Sequence, residues 1–124
     1  MTQILYNESM DEIILIEKPI STIELKQIAQ KRFGDMVKAV VDIDKKIMAI
    51  GAGLHADEEA FLLEKESLQE NLWGINIYPD LEMPDRIEFD SMINIRPRQN
   101  NRSRGIEDEK IRNQILEVIK ILVI

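Results

Sequence analysis

Hydrophobic and polar residues change period several times along this chain, and each change predicts an element. Ile13 to Ile16 is a short apolar, β-branched run closed by Glu17, Lys18 and Pro19, which reads as a strand. Ser21 and Glu24 then stand at capping-box spacing, with Ile20 and Leu25 at the two staple positions, so a helix starts at Thr22. Leu25, Ile28, Ala29 and Phe33 carry helical spacing to about Phe33, and Gly34 supplies the left-handed residue that closes the last turn. Val37, Ala39, Val41 and Ile43 next alternate with Lys38, Val40 and Asp42, and the pattern resumes at Ile47 to Ile50, a β-hairpin.

From Gly51 to Ser67 the period is mixed. Asp57 suits the cap of a short helix, whereas Phe61, Leu62 and Leu63 suit a buried strand, and a strand is the expectation. Leu72 to Tyr78 puts Trp73, Ile75 and Ile77 on one face, and Ile87 to Ile95 does the same with Ile87, Phe89, Ile93 and Ile95. The proline-containing, acidic stretch from Pro79 to Asp85 is the loop between these two strands. Asp108 caps a helix to about Val123, striped by Ile111, Ile115, Val118, Ile119 and Leu122. The order predicts an α+β domain over residues 13–124, a mainly antiparallel sheet of about five strands with two helices packed on one face. Residues 1–12 read as an N-terminal extension.

Composition narrows the function classes. The 124 residues suit one domain, and 44% hydrophobic with 31% charged residues is ordinary globular usage. A net charge of −7 disfavours nucleic acid and anionic lipid partners, and no run approaches the length needed to cross a bilayer. The absence of cysteine removes disulfides, thiolate metal sites and thiol nucleophiles, and suits a reducing, cytoplasmic setting. No leader peptide is readable at the N-terminus, and no catalytic motif is present.

Two stretches carry candidate chemistry. Arg96 to Gly105 concentrates Arg96, Arg98, Arg102 and Arg104 with Asn101 and precedes the predicted C-terminal helix, while Asn94 lies just before it. Guanidinium groups match phosphate and carboxylate oxygens, so the loop is a candidate anion clamp; a solvated basic loop pairing with the protein's own acids is the plainer alternative. His55, the single histidine, stands beside Asp57, Glu58 and Glu59, a composition that suits a general base or an oxygen-rich metal site. The same run also describes the exposed first turn of a helix. Gly51 and Gly53 lack the third glycine and the strand-to-helix context of a dinucleotide fingerprint. Asn76, Glu88, Asp90, Asn94 and Arg96 fall on the polar side of the predicted last strands, a face that antiparallel sheets usually leave open; covered, it would form a binding floor. The apolar end Ile121 to Ile124 either packs inside or contacts another copy.

Four separated blocks, Phe33 to Ile43, Leu54 to Glu59, Gln69 to Asn76 and Phe89 to Pro97, resemble a family of small prokaryotic proteins known only as a domain of unknown function. The resemblance spans about residues 12–123 and implies no activity, catalytic residue or cofactor. The expectation from the residues is therefore a domain that binds a small anionic or phosphate-containing ligand through Asn94, Arg96, Arg98, Asn101, Arg102 and Arg104. An enzymatic version adds His55 and Asp57 as base or metal ligands, with no resident metal assigned. The competing expectation is a non-catalytic interaction module of regulatory or toxin–antitoxin type, meeting a protein partner or a second copy.

Overall fold

The computed structural model of the chain describes residues 13–124, so the expected extension over residues 1–12 lies outside the described residues. The elements run β1 (Ile14–Ile16), α1 (Thr22–Gln30), β2 (Val37–Asp42), β3 (Ile47–Ile50), α2 (His55–Glu64), β4 (Leu72–Ile77), β5 (Ile87–Glu88) and α3 (Glu109–Leu122). All strand pairs are antiparallel and the sheet order is β1-β3-β2-β4-β5. The α+β class and the five-stranded antiparallel sheet match the sequence expectation.

The local signals explain most of these elements. Ser21 and Glu24 form the full capping box, and Ile20 and Leu25 are both buried, as the staple requires. α1 ends at Gln30, earlier than its apolar period suggests, and Gly34 at φ 92° donates its N–H to the Ala29 carbonyl at 2.7 Å. In the β2–β3 hairpin, buried Asp42 accepts from the N–H groups of Asp44 and Lys45 at 2.9 Å and from Ser67 Oγ at 2.6 Å. Asp108 caps α3 by accepting from Lys110 N at 2.8 Å. The C-terminal residues pair with the start of α1: Ile20 N–H donates to Leu122 O and Ile124 N–H to Ile20 O.

The core has two unequal halves. On one face of the sheet, Val37, Ala39, Val41, Met48, Ile50, Trp73, Ile75 and Ile77 pack against Leu25 and Ala29 of α1 and Ile115, Val118, Ile119 and Leu122 of α3. The opposite face carries a smaller cluster of Val40, Ala49, Leu72 and Leu62, the last from α2. The two expected helices do share one face, and a third covers part of the other.

That third helix corrects the strand expected between Gly51 and Ser67. Its buried residues are His55, Glu58 and Leu62, spaced as one helical face, but two of the three are polar, so the hydrophobic pattern conceals the period. Gly51 at φ 98° takes the chain out of β3 toward α2, so the strand-to-helix context expected to be missing is present.

The long final strand is also corrected. β5 stops at Glu88, and the Ser91 side chain, accepting from Ile93 N at 3.3 Å, starts a 3-10 turn over Met92–Asn94. The turn sends Ile93 to the α2 side while Ile87 stays in the larger core. It passes so close to β4 that a Cβ on Gly74 would lie 2.6 Å from Ser91 Cβ.

Candidate functional site

Most of the arginine-loop residues are occupied in building the loop. Asn94 is fully buried and takes the place of a neighbouring strand: its Oδ1 accepts from Gly74 N at 2.8 Å and its Nδ2 donates to Gly74 O at 3.0 Å. Arg96 stacks its guanidinium 4.3 Å from the Trp73 ring centroid. It also donates to the carbonyls of Ile93, Gln69 and Leu72 and to Gln99 Oε1, and burial lowers its pKa. Asn101 Nδ2 donates to Asn94 O and Gly105 O at 2.7 and 2.8 Å, and its Oδ1 accepts from Glu107 N. Glu107 in turn accepts from the N–H groups of Arg102 and Ser103, which hold its carboxyl below the usual range. The side chains of Arg98 and Arg102 are exposed and make no ion pair among the described residues. Arg104 pairs with Asp90 at 2.7 Å.

A second group of polar residues gathers under α2, around Lys38. Lys38, Asn76 and Glu88 stand in register across β2, β4 and β5, with Asn76 opposite both Lys38 and Glu88. Asn76 is buried and donates to Glu88 Oε1 at 2.9 Å, a carboxylate that also accepts from Tyr78 Oη at 3.0 Å. From above, α2 lowers His55 and Glu58 toward the sheet, 7% and 0% exposed. His55 Nε2 lies 2.8 Å from Ile75 O; since a carbonyl only accepts, Nε2 carries the proton and Nδ1 presents a lone pair. Burial drives the His55 pKa down to about 4, the Ile75 carbonyl opposing, Lys38 and Arg104 adding to the drop and Asp90 resisting it. Burial likewise raises the Glu58 carboxyl well above its ordinary range, although the Ala52 N–H donates to Oε2 at 3.0 Å. Near neutral pH the site therefore holds a neutral imidazole beside a carboxyl whose burial favours its protonated form. Glu58 Oε1 and Asn76 Oδ1 are buried with no protein partner, a rare condition for native polar atoms.

The covered reading of the polar face thus holds for Asn76 and Asn94, while Glu88 is exposed and Asp90 half-buried. The structure brings His55 and Arg104 into one electrostatic neighbourhood through Asp90. It leaves Asp57 exposed in the first turn of α2, two positions from His55 and so on a different side of the helix. Arg96 and Arg98 line a separate depression of about 310 Å³ with Gln69, Ile95, Pro97 and Gln99. Among the described residues, no group of three or more His, Asp or Glu is placed to hold a metal ion. Among them, too, no helix is long and apolar enough to cross a membrane.

A family model described as a protein of unknown function (DUF5674) matches residues 14–122. The chain belongs to the DUF5674 family. No curated protein and no solved structure matches it. The match takes in every strand of the sheet and the three α-helices of the described residues, so the polar group around Lys38 lies inside the family domain of this DUF5674 chain. Sequence reasoning missed Lys38 as a site residue and named Glu58 only as one of the carboxylates beside His55. For Glu58 the signal was present in its spacing, three after His55 and four before Leu62, which puts a carboxyl on a buried helical face.

Proposed function

We propose that this protein binds a small phosphate- or carboxylate-bearing ligand at the start of α2, beside Lys38 and Arg104. The observation that carries this reading is the pair of buried, unpartnered oxygens on Glu58 and Asn76, in a cluster that already contains a neutral histidine. Burial favours the protonated form of Glu58, which can donate from Oε1, while Asn76 Oδ1 and His55 Nδ1 can accept, so the site suits an anion that also carries hydroxyl or amino donors. α2 is preceded by Leu54 at its N-cap, which offers no side-chain cap and leaves the first N–H groups of the helix to favour negative charge. Asp57 in the same turn opposes that charge, and Lys38 and Arg104 offset it. The loop arginines serve the site mainly through Arg104; Arg96 acts as a brace for β4. The cysteine-free chain suits a cytoplasmic protein.

The test is a titration with pyrophosphate and with a nucleoside monophosphate at constant ionic strength, read as a thermal shift. The wild type gains a saturable rise in Tm, about 2.7 kcal/mol of stabilisation at 100 times Kd. Replacing Lys38 and Arg104 together by Gln removes the rise while the fold persists. A rise that survives both substitutions, or none in the wild type, overturns the site.

A second reading rests on Arg98 and Arg102, exposed, free of ion pairs and carried on a hydrogen-bonded loop: they suit an acidic protein partner. R98Q with R102Q would then abolish complex formation and leave the ligand-induced shift intact.

A further inference from the structure

We infer that the cavity at the C-terminal end of α3 is a binding site for a single-chain aliphatic carboxylate, separate from and independent of the Lys38 cluster. The cavity measures about 400 Å³ and is lined by Met83, Leu116, Ile119 and Val123, with Arg86 and Lys120 as its charged members. That volume lies within the range of about 300–1,000 Å³ that small-molecule pockets occupy. Four aliphatic or thioether side chains form its wall, and Met adapts readily to a flexible chain.

The charge of the lining is what selects the ligand. In a protein of net charge −7, the lining holds two cations and no acid among the described residues. Glu82, Asp85 and Glu117 stand next to the lining residues in sequence, but none of them lines the cavity. Arg86 is held in place by its own backbone bonds, Nε to Leu81 O at 2.7 Å and Nη2 to Pro79 O at 3.3 Å, which leaves Nη1 for a ligand. Lys120, exposed in the last turn of α3, makes no ion pair among the described residues. An apolar pocket bordered by a fixed guanidinium and a mobile ammonium suits an amphiphile whose tail enters the wall and whose carboxylate meets the cations. A neutral alcohol would leave both cations unpaired, and a cationic amphiphile would be repelled.

The experiment titrates the full chain with decanoate below its micelle concentration, with decanol and decyltrimethylammonium as neutral and cationic controls. Binding is followed by calorimetry and by methyl chemical shifts of Leu116, Ile119 and Val123. Decanoate is expected to bind saturably with shifts confined to those methyls, the controls at least tenfold more weakly. K120Q, at an exposed position where folding is not at issue, is expected to weaken decanoate about fivefold. Equal binding of decanol, unchanged affinity in K120Q, or shifts spread over the α2 face would each overturn the proposal. None of these outcomes bears on the phosphate titration, because Lys120 and Lys38 lie on different elements.

Discussion

The two faces of the sheet are built from different materials. Under α1 and α3 nearly every inward residue is aliphatic or aromatic, and the layer closes without a buried ionisable group. Under α2, four apolar residues share the face with His55, Glu58, Asn76 and Asn94, all buried. The apolar face gains stability from area removed from water. The polar face gives some of that up, since burying His55 and Glu58 disfavours the charged form of each and leaves two oxygens without partners. One face holds the fold; the other is the one with chemistry to offer.

The largest expected difference between the faces appears when each is cut. Leu25→Ala or Ile115→Ala, both fully buried in the apolar layer, is expected to cost about 2–5 kcal/mol in urea unfolding. On the polar side the strongest single dependence is structural. Asn94→Ala removes both bonds to Gly74 and is expected to cost about 2–3 kcal/mol. Gly74→Ala, which drives a Cβ into Ser91, is expected to cost about 1–3 kcal/mol. A polar-face Asn94→Ala as mild as a surface substitution would mean that water replaces the carboxamide and that β4 needs no brace.

The pH response separates the faces next. Unfolded His55 titrates near 6.5 and folded His55 near 4, so between those values the unfolded chain holds the extra proton. Stability from this group therefore falls as pH drops from 6.5 to 4, by about 3 kcal/mol. Glu58 has the opposite sign: above about 4.5 the unfolded chain gives up a proton that the folded chain keeps, so stability falls as pH rises through the folded pKa. Above pH 4.5 the Glu58 slope opposes the His55 slope, so the wild type is expected to show a weaker acid-side rise with pH than His55 alone would give. E58Q is expected to lose the opposing Glu58 slope and to expose the full His55 slope at acid pH, measured by unfolding across a pH series. An E58Q profile parallel to the wild type would place the titration elsewhere. The smallest effect belongs to the loop: R98Q and R102Q are expected to change stability by less than about 0.5 kcal/mol each.

The same contrast governs what was legible in the sequence. The apolar face was readable because its signals are hydrophobic and periodic: the capping box at Ser21, the hairpin, the stripe of α3. α2 was missed because His55 and Glu58 occupy positions that pattern reading assigns to aliphatic residues. The last strand was overextended because Phe89, Ile93 and Ile95 alternate correctly on paper, whereas the Ser91 cap and the approach to Gly74 turn the chain after Glu88. The arginine loop was visible as composition, but composition does not say that Arg96 and Asn101 would spend their donors on carbonyls. His55 was identified as a candidate; Lys38, in the middle of a strand, carried no signal beyond its charge.

The most direct test of the account is an NMR titration of the single imidazole, with and without pyrophosphate. The account predicts a His55 pKa near 4 in the free protein, moving upward when an anion binds beside it. A pKa near the ordinary 6.5, unmoved by pyrophosphate, would contradict both the buried neutral site and the ligand assigned to it.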